Sequence, residues 1–257
     1  MRCDCDYHTH PQGHATRPYT LELLQPWVDR CRERGIESIA FTDHDRYHEG
    51  IDLDMVDRLR EANPDFEILS GIELDNDPVT SKTGLKWVEK NWDRLDFVLG
   101  SVHYFSGAEK MFDGADQAQQ LTDKGIERAF EEYREQLEIV IERGNIDCLS
   151  HLDLVKIHAL TPDSYDPAAF FAPILERIRS AGLALEINTA GWRKKIGEQY
   201  PSERILLAAL SVRIPITISS DAHSYAQVGD DYGRLGPIGD RIGLRKPARY
   251  WKHRVRI

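Results

Sequence analysis

Seven of the ten histidines of this 257-residue chain stand in short polar motifs that end or follow apolar runs. In His8-Thr9-His10 the two imidazoles alternate, and alternate residues of a strand project from the same face. They are therefore presented side by side, as one metal ion requires. His14 follows four residues later on a loop containing Pro11 and Gly13, free to reach a neighbouring ion. Phe41-Thr42-Asp43-His44 runs an apolar strand directly into an acid and an imidazole. Asp43 reads better as a partner behind a ligand, or as a helix cap, than as a ligand itself. Glu73 follows the run Leu69–Ile72, and a glutamate can bridge two ions through its two oxygens. Ser101-Val102-His103 and Leu149-Ser150-His151 each end a strand in histidine, and Asp221-Ala222-His223 places a carboxylate and an imidazole two residues apart.

Each motif alone also has an ordinary structural reading. Together, His8, His10, His14, His44, Glu73, His103, His151, Asp221 and His223 are too many for the closed four-ligand tetrahedron of a structural zinc site. They fit a multinuclear catalytic centre. The mixed nitrogen and oxygen set suits zinc, manganese or iron rather than magnesium or calcium. His48, His158 and His253 fall outside these motifs and read as surface or loop residues. Cys3 and Cys5, alternating with Arg2, Asp4 and Asp6, read as one face of a buried strand rather than as soft ligands.

The elements that must position these residues are short apolar runs separated by helical patterns. Strands are expected near Arg2–Tyr7, Ser38–Thr42, Glu67–Ile72, Asp96–Val102, Ile146–Ser150, Leu183–Ile187 and Ile214–Ser219. Helices are expected over Thr20–Arg34, Met55–Asn63, Leu85–Asn91, Ile126–Arg143, Pro167–Ala181 and Ser202–Leu210, with Pro26 delaying or kinking the first. Strand–helix alternation predicts parallel strands with crossover helices. In a β/α barrel the C-terminal strand ends and the loops after them form the active face, and all seven runs deliver polar residues there.

The composition, 41% hydrophobic, supports one sizeable core and a single domain over 1–257. The net charge of −10 does not attract nucleic acid or acidic membranes, so an anionic substrate needs a local positive site such as bound metal. No apolar run is long enough to span a bilayer. The four cysteines make no disulfide framework, so a cytoplasmic protein with reduced thiols is expected.

The ordered set His8-x-His10, His14, Thr42-Asp43-His44, Glu73, His103, His151 and Asp221-x-His223 resembles the PHP (polymerase and histidinol phosphatase) superfamily. The second half resembles its histidinol-phosphate phosphatases, in Leu99–Tyr104, His151–Leu154, Leu185–Lys194, Glu198–Pro201 and Ser220–Ser224. The chain departs from them in the close spacing of His14 to His10 and the short stretch between His44 and Glu73. The resemblance implies a distorted (β/α)7 TIM-like barrel and three divalent metal ions. His8, His10, Glu73 and Asp221 would hold one ion, His14, His44 and His223 a second, and His103 and His151 with Glu73 a third. It also implies that Arg193 grips the substrate phosphate, with Lys156 a looser match for a second basic ligand.

The expected reaction is hydrolysis of a small phosphorylated substrate, histidinol phosphate or a similar monoester. A metal-bridging hydroxide would attack phosphorus, because bound metal lowers the pKa of water toward 7. Arg193 either steadies the phosphoryl oxygens or is a solvated cation beside Lys194 and Lys195. Asn188 either orients substrate or water or satisfies loop backbone. Asp6 and Asp153 are expected to fix imidazole tautomers, and Asp43 to support catalysis. Two other readings are a PHP phosphodiesterase acting on small nucleotides and a non-catalytic metal-binding regulatory protein. Acidity and length disfavour long nucleic acid as a partner, and the full ligand set disfavours loss of catalysis.

Overall fold

A computed structural model describes residues 1–256. Seven strands pair in chain order, every pair parallel: β1 (Cys5–Asp6), β2 (Ser38–Phe41), β3 (Glu67–Leu74), β4 (Phe97–Gly100), β5 (Cys148–Leu149), β6 (Ala184–Asn188) and β7 (Ile216–Ser219). The ring closes on itself just beyond β1 and β7. Ala222 N donates to His8 O at 3.3 Å and His10 N to Ala222 O at 2.8 Å. Strands covered on both faces need apolar side chains at nearly every position, and Ser-Ile-Ala-Phe of β2 and Ile-Thr-Ile-Ser of β7 are buried throughout. All seven strands lie where the sequence predicts them.

Helices α1 (Leu21–Arg34), α2 (Leu53–Ala62), α3 (Ser81–Asn91), α4 (Ala118–Lys124), α5 (Ile126–Arg143), α6 (Pro167–Ala181), α7 (Glu203–Ser211) and α8 (Leu235–Ile242) alternate with the strands. Helix α1 starts at Leu21 because the Thr20 hydroxyl accepts from Leu23 N at 3.2 Å, and it stops at Gly35, whose φ of 70° suits glycine. Pro26 neither delays nor divides it. The ring costs one backbone bond inside the helix, while Leu24, Trp27, Val28 and Cys31 keep a continuous buried stripe. Helices α4 and α8 were not expected, since both are too short to show a clear period.

The sequence reading also lacked the C-terminal hairpin of β8 (Arg249–Trp251) and β9 (Arg254–Arg256). It stoppers the N-terminal end of the barrel. The buried Tyr250 ring lies 4.8 Å from Phe97, which lies 5.4 Å from Tyr7, and Ala248 N donates to Ile216 O. Access to the barrel interior is thereby left to the opposite end, where the ligand motifs stand.

His253 is not a free surface residue. Its ring stacks on Trp92 at 3.7 Å, Nδ1 lies 2.8 Å from Asp147 Oδ2 and Nε2 lies 2.9 Å from Trp92 O. His158 is likewise buried, with Nε2 2.7 Å from Phe112 O. Both His253 nitrogens face acceptors, so only the imidazolium satisfies both. Burial disfavours that charge, but Asp147 outweighs it and raises the His253 pKa above its ordinary value. A raised histidine contributes fully below its unfolded pKa and loses the contribution as pH rises through the folded one. His253→Ala should therefore cost about 1–2 kcal/mol at pH 6 and progressively less above pH 7, read from urea unfolding. A cost independent of pH would contradict the imidazolium.

Candidate metal centre

Glu73 is the hub of the open end. It is fully buried on β3 (0% exposed). Five imidazoles approach its carboxylate within 4 Å: His44 at 2.7 Å, His151 at 3.2 Å, His8 at 3.4 Å, His10 at 3.7 Å and His103 at 3.8 Å. They arrive from four different strand ends. The extension of β1 supplies His8 and His10, with ring centroids 4.9 Å apart. His44 follows β2 and pairs in parallel register with Glu73 itself. His103 and His151 follow β4 and β5, and Asp221 and His223 follow β7. Asp221 adopts a left-handed φ of 54°, an unfavourable conformation of a kind that gathers at functional sites. Its Oδ1 lies 3.3 Å from His10 Nε2 and 3.8 Å from His8 Nε2.

Donor atoms converge in overlapping groups: His8, His10 and Glu73; His8, His151 and Asp221; His10, His44 and His223; Glu73, His103 and His151; and His44, Asp75 and His103. His14 is outside these groups. It is exposed, with its ring 4.5 Å from that of His223, while His10 takes the place beside His44 and His223 at 4.4 and 4.2 Å between rings. Among the described residues, His8 Nε2, both nitrogens of His10, His44 Nδ1 and Glu73 Oε2 are buried without a hydrogen-bond partner. Close approach without hydrogen bonding, in atoms that burial should penalise heavily, is the behaviour of lone pairs directed at shared cations. The residues present therefore fit divalent metal.

The electrostatics divide the imidazoles into two groups, His10, His44 and His223 lowered by burial and His8 and His103 raised by the carboxylates around them. Burial would push Glu73 upward, but His44, His8 and His103 hold it well below the ordinary carboxylate range. Burial lowers His10 to about 4 and His223 to about 3, so both present free lone pairs at neutral pH. Burial also opposes charge on His103, but Asp75 and Glu73 outweigh it and raise the imidazole to about 10.

The partners that orient the imidazoles are not those expected. Asp6 accepts from Ser220 N, Ser220 Oγ and Gly229 N, and Asp153 from Ser202 N and Lys156 Nζ, so both brace loops rather than imidazoles. Glu186 and Asp75, which the sequence reading missed, take that role. Glu186 Oε1 lies 2.8 Å from His8 Nδ1, and Oε2 accepts from His151 N at 2.8 Å. Asp75 Oδ1 lies 2.9 Å from His103 Nδ1, and Arg46 pairs with its other oxygen. The available signals were an acid inside the apolar run Leu185–Ile187 and a second acid two residues beyond Glu73, hence on the same strand face.

Hydrogen bonds decide the places of three other residues. Asp43 does not line the cavity. Its oxygens accept from Gln12 N at 3.0 Å and Tyr19 Oη at 2.7 Å, so it positions the loop between His10 and His14. Burial raises it to about 7. Lys156 is buried and held by Asp153 at 2.8 Å, Glu198 at 2.6 Å and Gln199 O at 3.2 Å, leaving no donor for a phosphate. Asn188 donates to Glu186 Oε2 and Asp221 Oδ2 and accepts from Ala190 N, so it braces the ligands and the turn after β6. Arg193 does reach the cavity. Its Nη2 donates to Ser220 O at 2.6 Å and Nη1 lies 3.5 Å from Asp231. The cavity holds about 360 Å³; His14, His44, His103, His151, His223, Glu73 and Asp221 line it together with Arg193, Lys194, Tyr200, Asp113, Met111, Leu154 and Ile157.

The PHP domain family matches residues 6–190. The chain belongs to that family. A protein of Deinococcus radiodurans named probable histidinol-phosphatase is 30% identical to this PHP chain over 250 residues, covering 88% of each. One of the same name from Schizosaccharomyces pombe is 26% identical, over 86% of this chain and 81% of its own. The crystal structure of histidinol phosphate phosphatase from Lactococcus lactis, complexed with zinc, L-histidinol and phosphate, superposes with a TM-score of 0.76 at 22% identity over 99% of both chains. This last likeness establishes the distorted seven-stranded TIM-like barrel. No helix among the described residues is long and apolar enough to cross a membrane.

Because Glu186 orients two ligand segments from behind, Glu186→Gln should weaken metal affinity by about 10- to 100-fold. Chelator competition measures this, and an unchanged affinity would remove Glu186 from the centre.

Proposed function

We propose that this PHP protein is a metal-dependent phosphomonoesterase that hydrolyses histidinol phosphate to histidinol and phosphate. One observation carries the reading: unspent imidazole and carboxylate lone pairs around Glu73 share a small cavity with Arg193. The similarity to curated histidinol-phosphatases along most of the chain supports the substrate.

Divalent cations at this centre supply Lewis acidity and bring the pKa of bound water toward neutrality. We assign three, of zinc, manganese or iron: His8, His10, Glu73 and Asp221 would hold one, His14, His44 and His223 a second, and Glu73, His103 and His151 a third. Glu73, ionised and enclosed, would offset the charge of the cations it helps to hold. Glu186 and Asp75 hold His8 and His103 in fixed orientation, which keeps the lone pairs of their Nε2 atoms turned inward. Arg193, tethered through Nη2 to Ser220 O, retains N–H groups for the phosphoryl oxygens, and a planar guanidinium can contact two at once. Leu154, Ile157 and Met111 make part of the wall apolar and narrow the room for water.

A cavity of about 360 Å³ favours a small monoester over an extended nucleic acid. The whole chain, 1–257, is assigned to one domain, since barrel, helices and hairpin share one hydrophobic core. The four free cysteines, three of them buried, suit the reducing cytoplasm.

Arg193→Ala should lower kcat/KM for histidinol phosphate by about 100- to 1,000-fold with metal content unchanged. The same assay over histidinol phosphate, nucleotides and bis-p-nitrophenyl phosphate tests the class. Cleavage of the diester alone would overturn the monoesterase reading, and full activity of the variant would remove Arg193 from the site.

A further inference from the structure

Metal and Arg193 account for the phosphate end of a substrate, but one acidic cavity residue has no task in that scheme. Asp113 stands on the loop between β4 and α4. This loop is fixed rather than loose. Phe112 N donates to His103 O at 2.9 Å, the Phe112 ring is fully buried against Phe105 and Tyr133, and Phe112 O lies 2.7 Å from His158 Nε2. The backbone of Asp113 is thus pinned next to a metal-centre segment. Its side chain lines the cavity, and Oδ1 is buried with no hydrogen-bond partner among the described residues. The Tyr200 hydroxyl, lining the same cavity, is also buried and unpartnered. The negative charge of Asp113 is felt at both His103 and Tyr200.

A buried carboxylate oxygen without a donor is costly. Asp6, Asp43 and Asp153 each accept a backbone N–H from a loop; Asp113 has no such donor among the described residues. It stands on the β4 side of the mouth, whereas Arg193 is tied to the β7 side through Ser220 O. The cavity therefore has a cationic edge and, on another side, an anionic one, with apolar Leu154 and Ile157 also in its wall.

We propose that Asp113 selects the substrate by accepting the ammonium group of an amino-alcohol phosphate whose phosphate lies at the Arg193 side. The inference rests on the phosphomonoesterase reading above and deepens it. A site built to receive an N–H group rejects analogues lacking it, because its polar atoms are then left unpaired. A leaving group with a second anionic substituent would meet the carboxylate's charge, which disfavours bisphosphates and nucleotides. The Tyr200 hydroxyl is available to the same polar end of the substrate.

The test compares wild type, Asp113→Asn and Asp113→Glu on two amine-bearing monoesters, histidinol phosphate and O-phosphoethanolamine, and on amine-free phenyl phosphate. Asp113→Asn should lower kcat/KM for the amine-bearing esters by about 10- to 100-fold, mainly through KM. Phenyl phosphate hydrolysis should stay within about twofold, which also shows that the variant is folded and loaded. Asp113→Glu should recover part of the loss. Equal losses on both ester classes, or no loss on amine-bearing esters, would overturn the assignment and leave the histidinol phosphate reading intact. If wild type hydrolyses O-phosphoethanolamine but not histidinol phosphate, the histidinol phosphate reading falls, and the same ratio still decides Asp113. Hydrolysis of phenyl phosphate alone would overturn both.

Discussion

A carboxylate cannot remain ionised in a water-free barrel unless positive charge or strong donors surround it, and Glu73 is such a carboxylate. Its full burial is tolerable because five imidazoles from four other strand ends crowd it. Three of those imidazoles, His8, His10 and His44, are themselves short of hydrogen-bond partners, so the cluster is mutually incomplete without cations. The requirement reaches outward: Glu186 and Asp75 must hold the rings, Asn188 must hold Glu186 and Asp221, and Arg46 must balance Asp75. The barrel serves this arrangement by fixing seven strand ends on one rim.

The opposite end explains why the rim can be so polar. The Tyr7, Phe97 and Tyr250 rings and the C-terminal hairpin close the bottom with apolar packing, so the core does not depend on the metal layer for its hydrophobic contacts. Structural ion pairs such as Arg60 with Asp96 and Arg249 with Glu67 are kept near that lower half. The upper half can then hold unsatisfied donors without unravelling the sheet, a division of labour general to β/α barrels.

How much was legible in the sequence follows from this division. Each strand is a β-rich apolar run, and six of the seven lead into an imidazole or carboxylate of the candidate centre; both signals are local, so the seven strands and the convergence of His8, His10, His44, Glu73, His103, His151, Asp221 and His223 could be read directly. Roles set by contacts across the chain could not. Lys156 looks like a phosphate ligand until Asp153, Glu198 and Gln199 O are seen to occupy its ammonium. Asp43 sits beside a ligand in sequence, yet Gln12 and Tyr19 turn it to the loop. Asp6 and Asp153 lost the imidazoles to Glu186 and Asp75 because reach across the barrel depends on strand register, which no single motif encodes. The hairpin was missed because Lys252-His253 forms its turn with left-handed φ values of 48° and 61° in residues that carry no turn signature.

Anomalous diffraction from crystals of the metal-loaded protein, recorded at the edge of the bound transition metal, addresses the shared-cation claim most directly. At least two separate peaks should flank the Glu73 carboxylate, each about 2.0–2.2 Å from a ligand nitrogen or oxygen. A lone peak held in a closed tetrahedron away from Glu73, or none after loading, would contradict the account.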